Sequence, residues 1–148
     1  MVGERMSFFV PYDGSTLARA ALDRANALDG HATVVCTVVP DSAEYAREKG
    51  WIEEDESFDP DAVERRLEAD VQEQAPDAEF RCLHVRPHIN PGGIVTQIRD
   101  AAEDVDADVV FLGSENVGHI AAPVASIGSN VATRVPYDIY LVQSVGEQ

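Results

Sequence analysis

The sequence predicts a single α/β domain with a parallel sheet wound by helices on both faces. Two observations carry this. Short apolar, β-prone runs alternate with segments of helical periodicity in the order β-α-β-α-β-α-β-α-β, and strands that read as nearly continuous apolar runs are those buried on both faces. A length of 148 residues also suits one domain with one core, since domains cluster near ~100–150 residues. The whole of 1–148 is therefore read as one unit, with an acidic loop or lid at 41–59 inside it.

Ser7-Phe8-Phe9-Val10, ending at Pro11, is the first strand. Asp13-Gly14-Ser15-Thr16 is turn chemistry, and Ser15 or Thr16 is placed to cap a helix. Leu17, Ala20, Ala21, Arg24, Ala25 and Leu28 follow at helical spacing, closed by Gly30. Ala32–Val39 is a second apolar strand stopped at Pro40. The acidic stretch Asp41–Asp59 holds Gly50 and Trp51 and room for a short helix near Ser42–Lys49; connections this long are often functional lids or disordered. Pro60 fits a first helical turn, with Val63, Leu67, Val71 and Gln74 as its inward face. Glu79–Val85 is a third strand and Arg86–Asn90 a loop. Pro91 opens a helix turning Ile94, Ile98, Ala101 or Ala102, and Val105 inward. Asp108–Leu112 is a fourth strand stopped by Gly113, Ser129 can cap a short helix Asn130–Arg134, and Ile139–Gln143 is the last strand.

Charge narrows the function. There are 27 acidic residues against 11 basic ones, a formal net charge of −16, and Lys49 is the single lysine. Without clustered Lys and Arg there is no groove for a phosphate backbone, so nucleic acid is not expected as a partner. The acids are spread along the chain, and a surface of that kind repels itself until salt shortens the screening length to ~3 Å at 1 M. This reads as adaptation to a salt-rich cytoplasm, with an ordinary acidic protein as the alternative. No apolar run approaches the ~20 residues that cross a bilayer, and Met1–Met6 has no apolar signal core. A cytoplasmic location and no membrane are expected. Cys36 and Cys82 lie in apolar strands as small hydrophobes, too few for a disulfide framework.

In open α/β sheets ligands gather outside the carboxyl ends of the strands, where strand order reverses. Two such ends are polar and carry glycine: Val10-Pro11-Tyr12-Asp13-Gly14-Ser15, and Gly113-Ser114-Glu115-Asn116-Val117-Gly118 continuing to Gly128-Ser129. Glycines let a backbone approach a phosphate, and helix N-terminal amides point at the anion. Taken in chain order, these segments resemble the universal stress protein family. Its first strand ends in Pro-x-Asp-x-Ser, matched by Pro11-Tyr12-Asp13-Gly14-Ser15, and its second in a His-Val-type pair, where this chain has Thr37-Val38. Its fourth strand enters Gly-x2-Gly-x9-Gly-Ser/Thr, of which Gly118-x9-Gly128-Ser129 keeps the second half.

The resemblance spans Phe8 to Val142. It implies a five-stranded parallel sheet of the adenine-nucleotide alpha-hydrolase-like kind, order 3-2-1-4-5, and a homodimer through the last strand, Ile139 to Val142. In one branch it implies an adenine nucleotide, ATP foremost, bound for a regulatory or stress-response role. The implied site comprises Pro11, Tyr12, Asp13, Val38, Leu112, Gly113, Gly118, Gly128, Ser129 and Asn130. Asp13 would meet ribose or a Mg²⁺ ion, the backbone near Val38 would receive adenine, and the glycines, Ser129 and Asn130 would surround phosphate. The chain departs from the pattern between Gly113 and Gly118, where Asn116 stands in place of the closer glycine. The loop from Gly113 to Ser129 has no Lys or Arg, only His119, and includes Glu115. These departures are the features that would mark the alternative, a dimeric interaction protein of the same family that takes no nucleotide. The nucleotide stays the leading reading, since helix-terminal amides and a Mg²⁺ ion at Asp13 can outweigh Glu115.

Other chemistries are not supported. There is no Gly-x4-Gly-Lys-Ser/Thr and no Gly-x-Gly-x-x-Gly. His84 and His88 are four apart, but Pro87 breaks any helix that would bring them together. Ser114 and Ser129 lack a nucleophile turn, and no catalytic residue is expected. Arg86 and Gln143 stand where a phosphorylation receiver would want Asp and Lys. Trp51, Tyr137 and Tyr140 read equally as lid or interface and as packing residues.

Overall fold

A computed structural model describes residues 6–28, 31–113 and 137–142. In chain order the elements are β1 (Met6–Pro11), α1 (Thr16–Asn26), β2 (His31–Pro40), α2 (Ala43–Glu48), α3 (Pro60–Gln74), β3 (Glu79–Val85), α4 (Pro91–Asp104), β4 (Val109–Gly113) and β5 (Asp138–Val142). The five strands form one sheet in the order β3-β2-β1-β4-β5, and every neighbouring pair is parallel. The order reverses between β1 and β4, so the crevice of this architecture opens outside Pro11 and Gly113.

Two apolar layers sandwich the sheet. On one face Phe8, Val10, Val35, Val39, Phe111 and Val142 meet residues of α1 and α3. On the other, Phe9, Val34, Cys36, Val110 and Leu112 meet Ala101 and Ala102 of α4. Alternate residues of each strand serve opposite layers, as the strand period requires. β1, β2 and β4 are buried along most of their length. β3 and β5, at the edges, alternate between partly buried and exposed positions, so the fully apolar reading holds only for the central strands.

The caps fall where side-chain chemistry puts them. Ser15 accepts from Ala18 N at 3.2 Å at the start of α1, Ser42 caps α2 and Asn90 caps α4. Asp59 caps α3, whose first turn holds Pro60 and whose inward face is Val63, Leu67 and Val71. α1 corrects the expected face. Ala18 and Leu22 are buried with Ala21 and Ala25, while Arg24 points outward. The helix ends at Asn26, short of Gly30, so Leu28 leaves the helical register and stands 46% exposed. On α4, both Ala101 and Ala102 are buried, and Val95 and Ile98 pack against the second layer.

Cys36 is buried and Cys82 half-buried, neither in a disulfide. Burial, before any neighbouring charge, pushes both thiols up to about 12. No helix among the described residues is long and apolar enough to cross a membrane.

Candidate functional site

The carboxyl end of β1 is held open by its own hydrogen bonding. Pro11 pairs with Cys36 as the last register pair of β1 and β2, and Tyr12 N then donates to Cys36 O at 2.9 Å. The buried Thr37 hydroxyl donates to Tyr12 O at 2.7 Å, fixing the turn. Along β2 the peptide groups of alternate residues face opposite neighbours. Cys36 O serves β1, whereas Asp41 N, of opposite parity, donates to Val85 O of β3 at 3.0 Å. The N–H and C=O of Val38 therefore point to the β1 side, past the point where β1 has ended.

Asp13 sits at the same end. Its Oδ1 accepts from Ser15 N at 3.0 Å, an Asx turn leading into α1. Its Oδ2 accepts from Lys49 Nζ at 2.7 Å, and its main-chain carbonyl accepts from Trp51 Nε1 at 2.9 Å. Burial alone would raise the Asp13 carboxyl, but the hydrogen bonds from Lys49 and Ser15 outweigh it and hold the group below its ordinary value. Gly14 has φ +81°, a conformation that suits glycine.

Lys49 reaches Asp13 because of how α2 ends. Trp51 N donates to Ala46 O at 2.9 Å and Gly50 N to Arg47 O at 3.0 Å, with Gly50 at φ +78°. That is a Schellman closure, and it turns Trp51 back under the helix. Trp51 and Ile52 are buried, the Tyr45 and Trp51 rings lie 5.6 Å apart, and Arg66 of α3 donates to Trp51 O at 2.8 Å. Much of the stretch 41–59 is thus a folded, anchored segment. A cleft of roughly 180 Å³ lies along its seam with α3, between Asp13, Lys49, Arg66 and Asp70. It is smaller than the ~300–1,000 Å³ typical of ligand pockets.

β4 approaches from the other side. A Cβ on Gly113 would stand 2.7 Å from Leu17 Cβ and 3.3 Å from its carbonyl carbon, so only glycine lets the end of β4 close on the first turn of α1. Leu112, beside it, is buried in the second layer. Tyr12 is 3% exposed, and its hydroxyl has no hydrogen-bond partner among the described residues; burial raises its pKa.

Of the residues named from the sequence, Pro11, Tyr12, Asp13, Val38, Leu112 and Gly113 thus lie at the carboxyl ends of β1, β2 and β4. Gly118, Gly128, Ser129 and Asn130 lie outside the described residues. Lys49 and Trp51 were missed as partners of Asp13. The signal available was weak: the single lysine lies at the end of a short helix closed by glycine, on a loop leaving the neighbouring strand. Tyr137 is buried, and Tyr140 is 39% exposed and stacks on Phe111 at 4.8 Å.

Residues 6–143 match the sequence profile described as the Universal stress protein family. No curated protein matches the chain. Among solved structures, a universal stress protein in complex with cAMP is 22% identical, with 95% of this chain and 98% of that one covered and a TM-score of 0.54. A protein from the universal stress protein family from Burkholderia pseudomallei is 16% identical, covering 93% and 96%, with a TM-score of 0.53. A universal stress protein from Archaeoglobus fulgidus is 17% identical, covering 95% and 100%, with a TM-score of 0.50.

Proposed function

The chain belongs to the universal stress protein family and has its adenine-nucleotide alpha-hydrolase-like fold, and from that premise we propose that it binds an adenine nucleotide, ATP foremost, at the carboxyl ends of β1 and β4, in a regulatory or stress-response role. The observation that carries the reading is the convergence at the reversal of strand order. The peptide groups of Val38 face the space beyond β1, an ionised Asp13 stands at its rim, and Gly113 closes on the start of α1.

These groups fit a nucleotide by kind. A main-chain donor and acceptor at Val38 match the paired acceptor and donor on an adenine edge. The Asp13 carboxylate suits ribose hydroxyls or the outer shell of Mg²⁺. Gly113, with Gly118, Gly128, Ser129 and Asn130, would supply amides and a hydroxyl to phosphate. Lys49 provides the cation that the glycine loop lacks, at the carboxylate rather than in the loop. The cAMP complex of a related fold agrees with the adenine preference.

A second reading rests on the same carboxylate. Asp13 already has Lys49 and Ser15 as partners, which favours a family member whose crevice takes no nucleotide and whose work is done as a dimer through edge strand β5, Ile139 to Val142. Calorimetry with Mg-ATP, Mg-ADP and AMP in molar KCl, with chemical identification of any nucleotide released on denaturing the purified protein, separates the two. Saturable heat or a co-purified adenine nucleotide supports the first. Absence of both, with a dimer by sedimentation that Tyr140→Glu dissociates, supports the second.

A further inference from the structure

β3 forms one edge of the sheet, and strand alternation turns Phe80, Cys82 and His84 to a single side. Phe80 and Cys82 pack on the layer beneath α1 and α3. α3 runs over that side with Val63 and Leu67 inward, and Glu64, next to Val63, faces the strand edge. The three side chains meet: Glu64 Oε1 lies 2.6 Å from His84 Nε2, and Cys82 Sγ lies 3.7 Å from the same nitrogen. One donor atom from each lies within 4.8 Å of the other two.

We propose that Glu64, Cys82 and His84 bind one divalent transition-metal ion of the zinc type, clamping α3 to the edge strand. The donor set is a carboxylate, a thiolate and an imidazole, the mixture that borderline ions take and that Mg²⁺ and Ca²⁺ do not. The spacing fits as well. Tetrahedral bonds of ~2.3 Å to sulfur and ~2.0–2.1 Å to nitrogen and oxygen place S and N about 3.6 Å apart, and N and O about 3.3 Å apart. The sulfur–nitrogen pair already stands at that separation, and the oxygen–nitrogen pair has only to open by a fraction of an ångström. His84 and Glu64 side chains are 40% and 35% exposed, which leaves an entry path and a fourth position for water, the pattern of an open rather than a closed zinc site.

Charge and protons balance. The Cys82 thiol releases its proton to solvent as the sulfur–metal bond forms. The imidazole coordinates through Nε2 with its remaining proton on Nδ1, and the two anionic ligands neutralise the dication. The site lies on edge strand β3, with β2 and β1 between it and β4, and it shares no residue with the nucleotide site, so it stands or falls apart from that proposal.

The test uses the full chain, stripped with chelator and kept in molar KCl with excess Mg²⁺ to occupy the acidic surface. Titration with Co²⁺ is expected to produce a thiolate-to-metal charge-transfer band saturating at one ion per chain, unchanged in Cys36→Ser and discharged by one equivalent of Zn²⁺. Cys82→Ser should abolish the band. Glu64→Gln and His84→Ala should weaken Co²⁺ binding by roughly tenfold or more, since even outer-shell partners of bound metals are worth ~10–100-fold. Zn²⁺ should raise the melting temperature of the wild type and not of these variants. No charge-transfer band in the wild type, or a band that survives Cys82→Ser, would overturn the proposal.

Discussion

The Lys49–Asp13 pair joins the acidic segment to the end of β1, and replacing Lys49 by Met tests that join while keeping the aliphatic stem over Tyr45, where the ammonium now lies 5.7 Å from the ring centre. At a separation of 2.7 Å the gross Coulomb attraction is roughly 1.5 kcal/mol at a water-like dielectric and about 6 kcal/mol at an effective dielectric near 20. The side chains are 33% and 19% exposed, so desolvation and screening remove much of this. Exposed pairs are worth ~0–1 kcal/mol, whereas removing one partner of a buried pair costs ~3–5 kcal/mol. Lys49→Met should therefore cost about 1–3 kcal/mol near neutral pH. Urea unfolding followed by Trp51, the single tryptophan, reads the change directly, because its indole hydrogen-bonds the Asp13 carbonyl.

The pH dependence carries the sharper sign. With Lys49 present, the folded Asp13 carboxyl titrates below its ordinary value of 3.8, so its contribution is full above that value and is lost as pH falls through the folded pKa. Without Lys49 only the hydrogen bonds from Ser15 stand against burial, so the carboxyl titrates higher than in the wild type and its ionised form contributes less to folding. The difference between wild type and variant is thus greatest near neutrality and shrinks on acidification across the region either side of 3.8. In Asp13→Asn, the further change Lys49→Met should cost little. A Lys49→Met variant as stable as wild type at neutral pH, or a difference that does not move with acid, would refute the reasoning.

Gly113→Ala should cost about 1–3 kcal/mol by overpacking, and Leu17→Ala should not rescue it because the blocking atom, the Leu17 Cβ, is retained; urea midpoints at constant slope check both. Raising KCl from low to molar levels should stabilise a chain of net charge −16 by at least ~1 kcal/mol, or ~2–4 °C in melting temperature, and a flat or falling melting temperature would remove the salt-adaptation reading. Mg-ATP should change Trp51 emission saturably, and Asp13→Ala should raise the half-saturating concentration roughly tenfold or more, the worth of a hydrogen bond to a charged group at ~1.5–3 kcal/mol; unchanged affinity would mean that Asp13 is not in the site.

The central strands were legible because burial on both faces leaves no polar positions, as in Phe8-Phe9-Val10 and Val109–Leu112. α3 was legible because Val63, Leu67 and Val71 are large and regularly spaced. α1 was not, since alanine on several faces blurs the stripe, and Ala18 and Leu22 turned out to define it. The polar end of β1 could be read as a site candidate from residues adjacent in sequence. Its electrostatics could not. Lys49 lies 36 residues from Asp13, in a segment whose local composition gives no hint of where it docks. The Glu64–Cys82–His84 cluster was hidden for a similar reason: strand alternation puts Cys82 and His84 on one side of β3, but Glu64 comes from a separate helix whose local sequence does not say where it docks.

The central claim concerns where a nucleotide sits, and amide chemical shifts followed during titration of isotopically labelled protein with Mg-ATP in high salt address it most directly. The expected result is a joint, saturable movement of Gly14, Val38 and Gly113, with the amides of Ser7 and Asp108, at the opposite, amino ends of β1 and β4, unmoved. Titration that leaves those three amides in place, or shifts gathered instead along α3 and β3, would contradict the account.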